Sequence, residues 1–394
     1  MREIIEFFES LMKILAERDL WKPLATVGGF IAISAFFLGR SYQKWRVPHD
    51  IAKLDRELAD CKVQLGAHQA IEDALAKDDD ELWKFRTTRR SDDLLGKLAD
   101  SRVKIMTLAN LKGGVGKTTT TASLAAHFDS KGKRVLVIDL DYQGSLSAML
   151  LRASGRRRID GSLADDLLSG NLHGEKLVKY AKDLEHKANK GETRLSRTKL
   201  ITATYSLARL ENRLMLRWLS QHETEDIRYN LARALLSPEI EQKFDLVLID
   251  AAPRLTTGTI NALCASTDFI VPTILDGLST ETLPGFLRQT KRLIKQELNP
   301  HLELAGVVAT MTEEKHLKPE EKTERENVAR WVGEEWGASG HVFDTHIPDR
   351  TALGKAAGRD LAYFTDLGEN GAQGFFDRLG AEVASRIGLT YDCR

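Results

Sequence analysis

The sequence predicts an α/β fold with a doubly wound, mostly parallel sheet. Three short apolar runs, at 103–108, 135–140 and 244–250, predict buried strands. The second and third runs carry apolar residues on both faces, which indicates a sheet covered on both sides. The first run is followed by glycines and then by helical spacing from Thr118 to Phe128. A strand, a loop and a helix therefore follow one another at the start of this fold.

The loop after the first strand is rich in glycine. It reads Asn110-Leu111-Lys112-Gly113-Gly114-Val115-Gly116-Lys117-Thr118-Thr119-Thr120. In this context, backbone N–H groups point into one concavity at a helix N-terminus, where the helix dipole also favours a polyphosphate. Glycine is needed there because a Cβ would block the close approach or the positive φ values of such a loop. The segment therefore predicts a phosphate-binding loop.

The loop departs from the general Walker A spacing, which would place a glycine at Leu111. The segment Lys-Gly-Gly-Val-Gly-Lys-Thr, from Lys112 to Thr118, resembles the deviant Walker A box of the ParA/MinD family of P-loop ATPases. The resemblance implies that Lys117 holds the β and γ phosphates of ATP and that Lys112 reaches the nucleotide of a partner subunit. Thr118 would supply a hydroxyl to Mg²⁺. The resemblance also assigns ATP binding to Gly113, Gly114, Val115, Gly116 and Thr119.

Two carboxylates, Asp139 and Asp141, lie at the end of the second strand. Ligands of parallel α/β sheets bind beyond the carboxyl ends of the strands, so both acids are expected beside the loop. The segment resembles the family's Asp-x-Asp-Pro-Gln-Gly-Ser element, with Tyr142 in place of proline. By that resemblance, Asp141 orients or deprotonates the attacking water, and Asp139 lies near the water shell of Mg²⁺.

The third strand ends in Asp250, followed by Ala251-Ala252-Pro253, which resembles the family's Walker B and its Asp-x-Pro-Pro turn. Asp250 is the predicted carboxylate that holds Mg²⁺ through water. Ala252 replaces the first proline of the turn, so the resemblance does not predict the shape of this loop. Mg²⁺ is expected because phosphoryl transfer concentrates negative charge that two lysines neutralise incompletely.

The segment Ile347-Pro348-Asp349-Arg350 resembles the family's Ile-Pro-Arg segment after the last strand. By that resemblance, Pro348 and Asp349 are the predicted contacts to the adenine. A turn followed by a helix cap would give the same residues. The resemblance runs from about residue 103 to the C-terminus, which places the ATPase domain at 101–394.

The N-terminus predicts a membrane anchor. Residues 1–20 have the spacing of an amphipathic helix, and 21–40 have the pattern of a short transmembrane helix with aromatic and basic flanks. A buried helix and a cleaved signal peptide are the competing interpretations. The basic residues after the span predict a single-pass protein of the bacterial inner (cytoplasmic) membrane, with its ATPase domain in the cytoplasm.

Residues 47–80 predict a helical stalk. Apolar residues approximate an a/d seam, which indicates either a short coiled coil or an amphipathic helix packed on the ATPase. The seam consists of Ile51, Leu54, Leu58, Cys61 and Leu65. Residues 81–100 are highly charged and predict a solvated linker.

Composition limits the choice of partners. The formal net charge is zero, so it gives no general reason to expect nucleic acid, and the three cysteines have no metal-binding spacing. One polar insert, at 152–199, is locally basic. It indicates either non-specific contact with nucleic acid or an anionic bilayer, or a solvated face.

These features together predict a membrane-anchored, Mg²⁺-dependent ATPase that works as a dimerisation switch. ATP would join two subunits, or a higher homo-oligomer, and hydrolysis would release them. The switch would position, segregate or gate an unidentified protein partner, as in plasmid or chromosome partition or a defence complex. The alternatives are a polysaccharide-associated tyrosine kinase, with only Tyr391 near the C-terminus, and an ATP-bound scaffold without turnover.

Overall fold

The structure is a computed structural model. It describes residues 53–59, 61–62, 65–66, 69, 72–73, 79–84, 92–156, 161–187, 193–220, 225–314, 316–349 and 360–391. The chain forms two compact units, Met1–Ala76 and Lys77–Arg394. In the first unit the described residues are helical and exposed. The predicted segments 1–20 and 21–40 lie outside the described residues.

The second unit contains all of the strands that the structure describes, together with the helices around them. The strands are β1 Lys104–Leu108, β2 Val135–Leu140, β3 Lys182–Asp183, β4 His186–Lys187, β5 Thr193–Arg194, β6 Thr198–Ile201, β7 Leu246–Ala251, β8 Asp268–Ile274, β9 Glu303–Thr312 and β10 Ile347–Pro348. The α-helices are α1 Asp79–Lys84, α2 Asp92–Ala99, α3 Lys117–Ser130, α4 Ser145–Ala153, α5 Leu163–Leu168, α6 Gly174–Tyr180, α7 Ser206–Leu219, α8 Asn230–Leu235, α9 Pro238–Lys243, α10 Thr257–Ala265, α11 Gly277–Gln289, α12 Pro319–Trp336, α13 Ala362–Thr365 and α14 Ala372–Ile387. A π-helical segment, Thr290–Leu298, extends α11.

Eight strands form one sheet in the order β10-β9-β8-β1-β7-β2-β6-β3. All neighbours pair in parallel except β3, which runs antiparallel to β6 at one edge. On one side of β1 the sheet continues through β7, β2 and β6 to β3, and on the other side through β8 and β9 to β10. The predicted mostly parallel, doubly wound sheet is therefore confirmed. Strands β4 and β5 form a separate hairpin in the basic insert.

The three central strands are fully or almost fully buried, as their apolar sequences predict. Their register brings the functional ends together: Leu108 pairs with Asp250 across β1 and β7, and Asp139 pairs with Asp250 across β2 and β7. Since all three strands are parallel, their carboxyl ends lie along one edge of the sheet. The loops that follow them therefore converge.

Helix α3, which begins at the glycine loop, is joined to the C-terminal helix α14 by buried polar contacts. His127 is fully buried, with Nδ1 2.6 Å from Asp377 Oδ1 and Nε2 2.9 Å from the Tyr391 hydroxyl. The ring lies directly against Gly380, where there is no side chain. Helix α14 thereby fixes the C-terminal half of α3, the helix that begins with Lys117.

The described parts of the predicted linker, residues 81–84 and 92–100, pack against the rest of their unit. Trp83 of α1 is buried and stacks on Trp218 of α7, with ring centroids 6.0 Å apart. The Arg228 guanidinium donates to the Trp83 carbonyl at 2.5 Å and covers the Trp218 ring. Helix α2 buries the leucines Leu94, Leu95 and Leu98. These apolar side chains are buried because removing them from water is favourable, while charged residues between them, such as Asp93 and Lys97, stay exposed.

The membrane and coiled-coil predictions are not supported. Among the residues that the structure describes, no helix is long and apolar enough to cross a membrane. Leu54, Leu58 and Leu65 of the predicted seam are exposed.

Candidate active site

The glycine loop connects buried strand β1 to helix α3. Gly114 and Gly116 have φ values of 76° and 81°, in the left-handed region that other residues seldom adopt. The Asn110 side chain donates to the Pro272 carbonyl at 2.8 Å and accepts from the Lys112 backbone amide at 2.9 Å. These bonds attach the start of the loop to β8. The loop is thus held in a fixed, open curve at the N-terminus of α3.

Lys117 lies inside this curve. Its ammonium donates to the backbone carbonyls of Asn110, at 3.1 Å, and Lys112, at 3.0 Å. Burial lowers the pKa of the Lys117 ammonium, while the nearby charges of Asp250 and Asp141 oppose that change. The ammonium therefore occupies the concavity in which a loop of this kind binds phosphate.

Thr118 and Asp250 form a hydrogen-bonded pair beside Lys117. The Thr118 hydroxyl donates to Asp250 Oδ2 at 2.7 Å, and Asp250 Oδ1 is buried without a hydrogen-bond partner among the described residues. Burial, followed by the charge of Asp139, raises the pKa of Asp250 well above its ordinary range. A buried carboxylate oxygen without a partner is costly unless a cation neutralises it.

This pair fits Mg²⁺. Within the described residues no group of three or more His, Cys, Asp or Glu side chains could hold a metal. Mg²⁺ does not need such a cage, because it usually binds one or two protein oxygens together with substrate phosphates and water. Thr118 and Asp250 would hold the ion, which would then neutralise developing charge on the phosphates.

The two carboxylates after β2 have different environments. Asp139 is fully buried, and its Oδ2 accepts from the Ser147 amide and hydroxyl at 2.8 and 2.7 Å. Its Oδ1 accepts from the Asp141 amide at 3.1 Å. Asp139 therefore holds the loop that carries Asp141, and its place near the water shell of Mg²⁺ stays a prediction. Asp141 is half-buried, and its Oδ1 accepts from the Gln143 amide at 3.0 Å.

Lys112 has different partners from Lys117. Its Nζ lies 2.5 Å from the Ser279 hydroxyl and 3.6 Å from Asp276 Oδ1, and 32% of its side chain is exposed. Both partners belong to the start of α11, more than 160 residues later in the chain. The structure therefore places Lys112 on the outer side of the loop, within reach of solvent.

The predicted adenine contacts lie at the edge of the sheet. Pro348 is buried in β10, and the Asp349 amide donates to the Thr312 carbonyl at 2.9 Å. Thr310, two residues earlier in β9, donates its hydroxyl to the Val115 carbonyl of the glycine loop at 3.0 Å. β9 thus links the Pro348 segment to the phosphate loop, and the adenine contact itself stays a prediction.

Sequence reasoning missed several residues that shape this site. Asn110 was visible as a polar residue after a buried strand, and Ser147 as a hydroxyl in the helix that follows Asp139. Thr310, Asp276 and Ser279 gave no local signal, because they reach the loop only through the order of strands in the sheet.

The comparisons with known proteins agree with this site. A protein-family model described as an AAA domain, AAA_31, matches residues 103–304, just over half of the chain. The chain is 32% identical over 293 residues to the chromosome-partitioning ATPase Soj of Thermus thermophilus. The aligned residues cover 73% of this chain and 98% of that relative. The chain is 31% identical over 286 residues to the chromosome partitioning protein ParA of Caulobacter vibrioides, which covers 72% and 95%.

Solved structures share the fold. The structure of pNOB8 ParA is 20% identical and covers 73% of this chain and 99% of its own, with a TM-score of 0.56. The ATP complex of a McdA variant from Cyanothece is 19% identical and covers 75% and 100%, with a TM-score of 0.56. Both likenesses confirm the mostly parallel α/β fold.

The predicted localisation in the inner membrane is wrong on two findings. No described helix can cross a membrane. The matched relatives are named as chromosome-partitioning proteins, and 95–98% of their length is matched by 72–73% of this chain. The rest of the chain thus has almost no counterpart in them.

The family assignment explains the arrangement of the site. The matched region contains the glycine loop with both lysines, the two acids after β2 and the Asp250 carboxylate. The Thr118 and Asp250 oxygens meet the requirements of Mg²⁺, and Lys117 meets those of the ATP phosphates. The chain belongs to the ParA/MinD family of P-loop ATPases and is an ATP hydrolase that uses ATP and Mg²⁺.

Proposed function

We propose that the chain is an ATP-dependent dimerisation switch that positions or segregates a partner assembly. The different surroundings of the two loop lysines carry this proposal. Lys117 is enclosed by the loop carbonyls, whereas Lys112 lies at the outer side of the loop on Ser279 and Asp276. One lysine is thus available to the subunit's own phosphates, and the other to the phosphates of a facing copy.

The contact between Lys112 and Asp276 is weak enough to exchange. Both side chains are partly exposed, at 32% and 49%, and exposed ion pairs contribute about 0–1 kcal/mol. A triphosphate offers several negative oxygens to the same ammonium. In the proposed cycle, Lys112 therefore leaves Asp276 when two ATP-bound copies meet, and hydrolysis weakens the contact again.

Hydrolysis requires Lys112 of the facing copy together with groups of the subunit that binds the ATP. Lys117 binds the β and γ phosphates, and the Asp141 carboxylate orients the attacking water or takes its proton. Asp141 lies close enough to influence the pKa of Lys117, which supports its place beside the terminal phosphate. Asp139 keeps the Asp141 loop in position through its bonds to that loop and to Ser147.

Partition-type relatives support the assignment of a cargo-positioning role. Non-specific nucleic-acid contact through 152–199 is part of the proposal, because Lys176 and Lys179 are exposed on α6. Lys199 is less available, since it pairs with Asp183 at 2.8 Å. Binding through such lysines would weaken steeply as the salt concentration rises, which a titration of duplex DNA at several salt concentrations measures.

The tyrosine-kinase alternative receives no support from the C-terminus. The Tyr391 hydroxyl lies 2.9 Å from His127 Nε2 and 3.1 Å from the Gly380 carbonyl, so phosphorylation would require breaking a partly buried network. The scaffold alternative does not agree with membership in a family of ATP hydrolases. Radiolabelled ATP should accordingly give free phosphate and no phosphotyrosine.

The decisive experiment mixes two inactive variants, Lys112→Ala and Asp141→Ala. A heterodimer has one complete site, in which the Lys112→Ala subunit supplies Asp141 and the partner supplies Lys112. If subunits pair at random in a two-fold dimer, we expect about a quarter of wild-type turnover from the mixture. The proposal fails if Lys112→Ala hydrolyses ATP normally alone, or if the mixture remains inactive although both variants bind ATP. Lys117→Ala mixed with Asp141→Ala is the matched control, because the remaining Asp141 lies in a subunit without the phosphate lysine.

A further inference from the structure

We propose that Tyr142 and Arg254 form a positioning pair that couples the loop carrying Asp141 to the loop that follows Asp250. The Arg254 guanidinium carbon lies 5.2 Å from the centroid of the Tyr142 ring, within the range of a cation–π contact. Tyr142 directly follows Asp141 in sequence, and Arg254 is four residues beyond Asp250. The inference rests on the proposed role of Asp141 and does not depend on dimerisation.

The two loops start from adjacent strands. Leu140 of β2 pairs with Ala251 of β7, so the chain leaves both strands at the same level. Beyond that pair the ladder ends, and the strands no longer hold the loops together. The stack of Arg254 on Tyr142 joins the two loops beyond this last pair, next to Asp141.

The backbone around Arg254 is fixed. Its carbonyl accepts from the Thr256 amide at 3.0 Å and from the Thr259 hydroxyl at 2.8 Å, which attaches it to the start of α10. The side chain is exposed, and this anchored backbone keeps its starting point fixed within reach of the Tyr142 ring. A guanidinium on a fixed base can hold the Tyr142 ring, and with it the neighbouring Asp141, in one position.

Helix α7 contacts the loop that carries Tyr142 and the first turn of α10. Tyr205, at its N-terminus, meets the Tyr142 ring edge-on with centroids 5.9 Å apart. Glu211, buried in the same helix, accepts from the Gly258 amide at 2.7 Å. A Cβ at Gly258 would lie 2.7 Å from Glu211 Oε1, so the glycine permits this contact. Helix α7 thus packs on Tyr142 and also holds the start of α10, to which Arg254 is attached.

The sequence gives a reason for such a pair. In the family pattern, prolines occupy the positions of Tyr142 and Ala252, and proline restricts the backbone of a loop. This chain lacks both prolines. A contact between the loops can replace the lost restriction, and it acts on Asp141 without touching the phosphate loop. Loss of the pair should therefore affect the hydrolytic step more than ATP binding.

The test is a double-mutant cycle of Tyr142→Ala and Arg254→Ala, with kcat and KM for ATP measured for each variant. Misplacement of a catalytic group is costly, so we expect each single variant to lose about tenfold in kcat with KM changed less than about twofold. Because the two residues act through one contact, the double variant should be no slower than about the slower single variant. Tyr142→Phe, which keeps the ring, should stay within about twofold of wild type.

Arg378→Ala is the matched control, because Arg378 makes the same kind of stack, on Phe375 at 4.7 Å, within α14 and outside both loops, and its loss should leave kcat unchanged. Thermal unfolding of each variant shows whether it is folded, and Arg254→Met provides a second variant that keeps the side-chain length. The proposal is overturned if the two kcat losses multiply in the double variant, or if the single variants raise KM and keep kcat. Turnover of each variant is measured alone, so the result does not depend on whether Lys112 acts on a partner's nucleotide.

Discussion

The Thr118 hydroxyl donates to Asp250 Oδ2 at 2.7 Å, which joins the first turn of α3 to the end of β7. The two oxygens belong to different motifs, 132 residues apart in the chain. Their meeting shows that the strand order brings the phosphate loop and the acidic strand end to one point. The contact also indicates why a hydroxyl and a carboxylate occur here, since Mg²⁺ prefers oxygen ligands of both types.

Asp250→Ala should therefore abolish Mg²⁺-dependent hydrolysis. Removing an oriented charge at a phosphoryl-transfer site commonly costs about a hundredfold or more in turnover. Thr118→Ala should retain the carboxylate and show a smaller loss, with a higher Mg²⁺ concentration needed for half-maximal turnover. The measurement is phosphate release across a Mg²⁺ titration, with EDTA as the zero point.

Thr323→Ala is the control for the threonine change, because Thr323 lies in the first turns of α12, where its hydroxyl bonds to the Pro319 carbonyl. It should leave the Mg²⁺ dependence unaltered. Equal Mg²⁺ dependence in Thr118→Ala and wild type would contradict the assignment of Thr118 as a ligand.

Alanine variants of Asp139 and Asp141 should have different effects: the first should lower stability, and the second should mainly abolish hydrolysis. Asp139→Ala leaves the Ser147 amide and hydroxyl and the Asp141 amide without an acceptor at a buried site. We expect the free energy of unfolding to fall by about 2–4 kcal/mol. Asp141→Ala removes one contact of a half-buried side chain, so its stability should change by less than about 1 kcal/mol while hydrolysis is lost. Urea unfolding and turnover, measured on both variants, decide the matter; a stable but inactive Asp139→Ala would contradict it.

Much of this site follows from the sequence because its signals are local. A buried strand, glycines and a helix predict the loop around Lys117, and an acid at the end of a buried strand predicts Asp250. Parallel strands bring such ends to one edge, and the sequence predicts this much. The direct contact of Thr118 with Asp250 depends in addition on β7 lying next to β1.

Other contacts depend on the order of strands and could not be predicted. β8 and β9 lie next to β1, which brings Ser279 to Lys112 and Thr310 to Val115. Charge patterning also misled the interpretation of 81–100, because a few apolar side chains such as Trp83 decide whether a charged segment docks. Periodicity over so short a stretch does not reveal them.

Asp245 should give a pH-dependent contribution to stability. It receives hydrogen bonds from the Arg134 amide, Nε and Nη2 at 2.8, 3.1 and 2.6 Å, joining the first residues of β2 and β7. Burial acts to raise the pKa of Asp245, but the Arg134 bonds and charge outweigh it and lower the pKa below its ordinary value of 3.8. A lowered folded pKa means that the stabilisation is present above pH 3.8 and is lost as the pH falls through the folded pKa.

Asp245→Asn should accordingly cost about 1 kcal/mol at pH 7, allowing for the partial exposure of Arg134. The difference from wild type should shrink as the pH falls below about 4, where the wild-type carboxyl also becomes neutral. Denaturant unfolding at several pH values measures it. Asp183→Asn, which breaks an exposed pair with Lys199, is the control and should cost less than about 0.5 kcal/mol. A difference between Asp245→Asn and wild type that persists unchanged at low pH would refute the assignment.

Gly380 and Gly333 should respond to the same substitution with opposite signs. Both lie within helices, where alanine is ordinarily better than glycine by about 0.5–1 kcal/mol. At Gly333, which is exposed, a new Cβ meets no atom within 4 Å, so Gly333→Ala should stabilise the protein by about that amount.

At Gly380 a new Cβ would lie 2.1 Å from His127 Cδ2, far inside contact distance. The ring cannot turn aside without cost, because Asp377 and Tyr391 hold its two nitrogens. Gly380→Ala should therefore destabilise the protein by about 1–3 kcal/mol, the usual range for overpacking. Denaturant midpoints of the two alanine variants, with unchanged m values, measure the contrast. If Gly380→Ala were as stable as Gly333→Ala, the His127 contacts would not be holding α14 against α3.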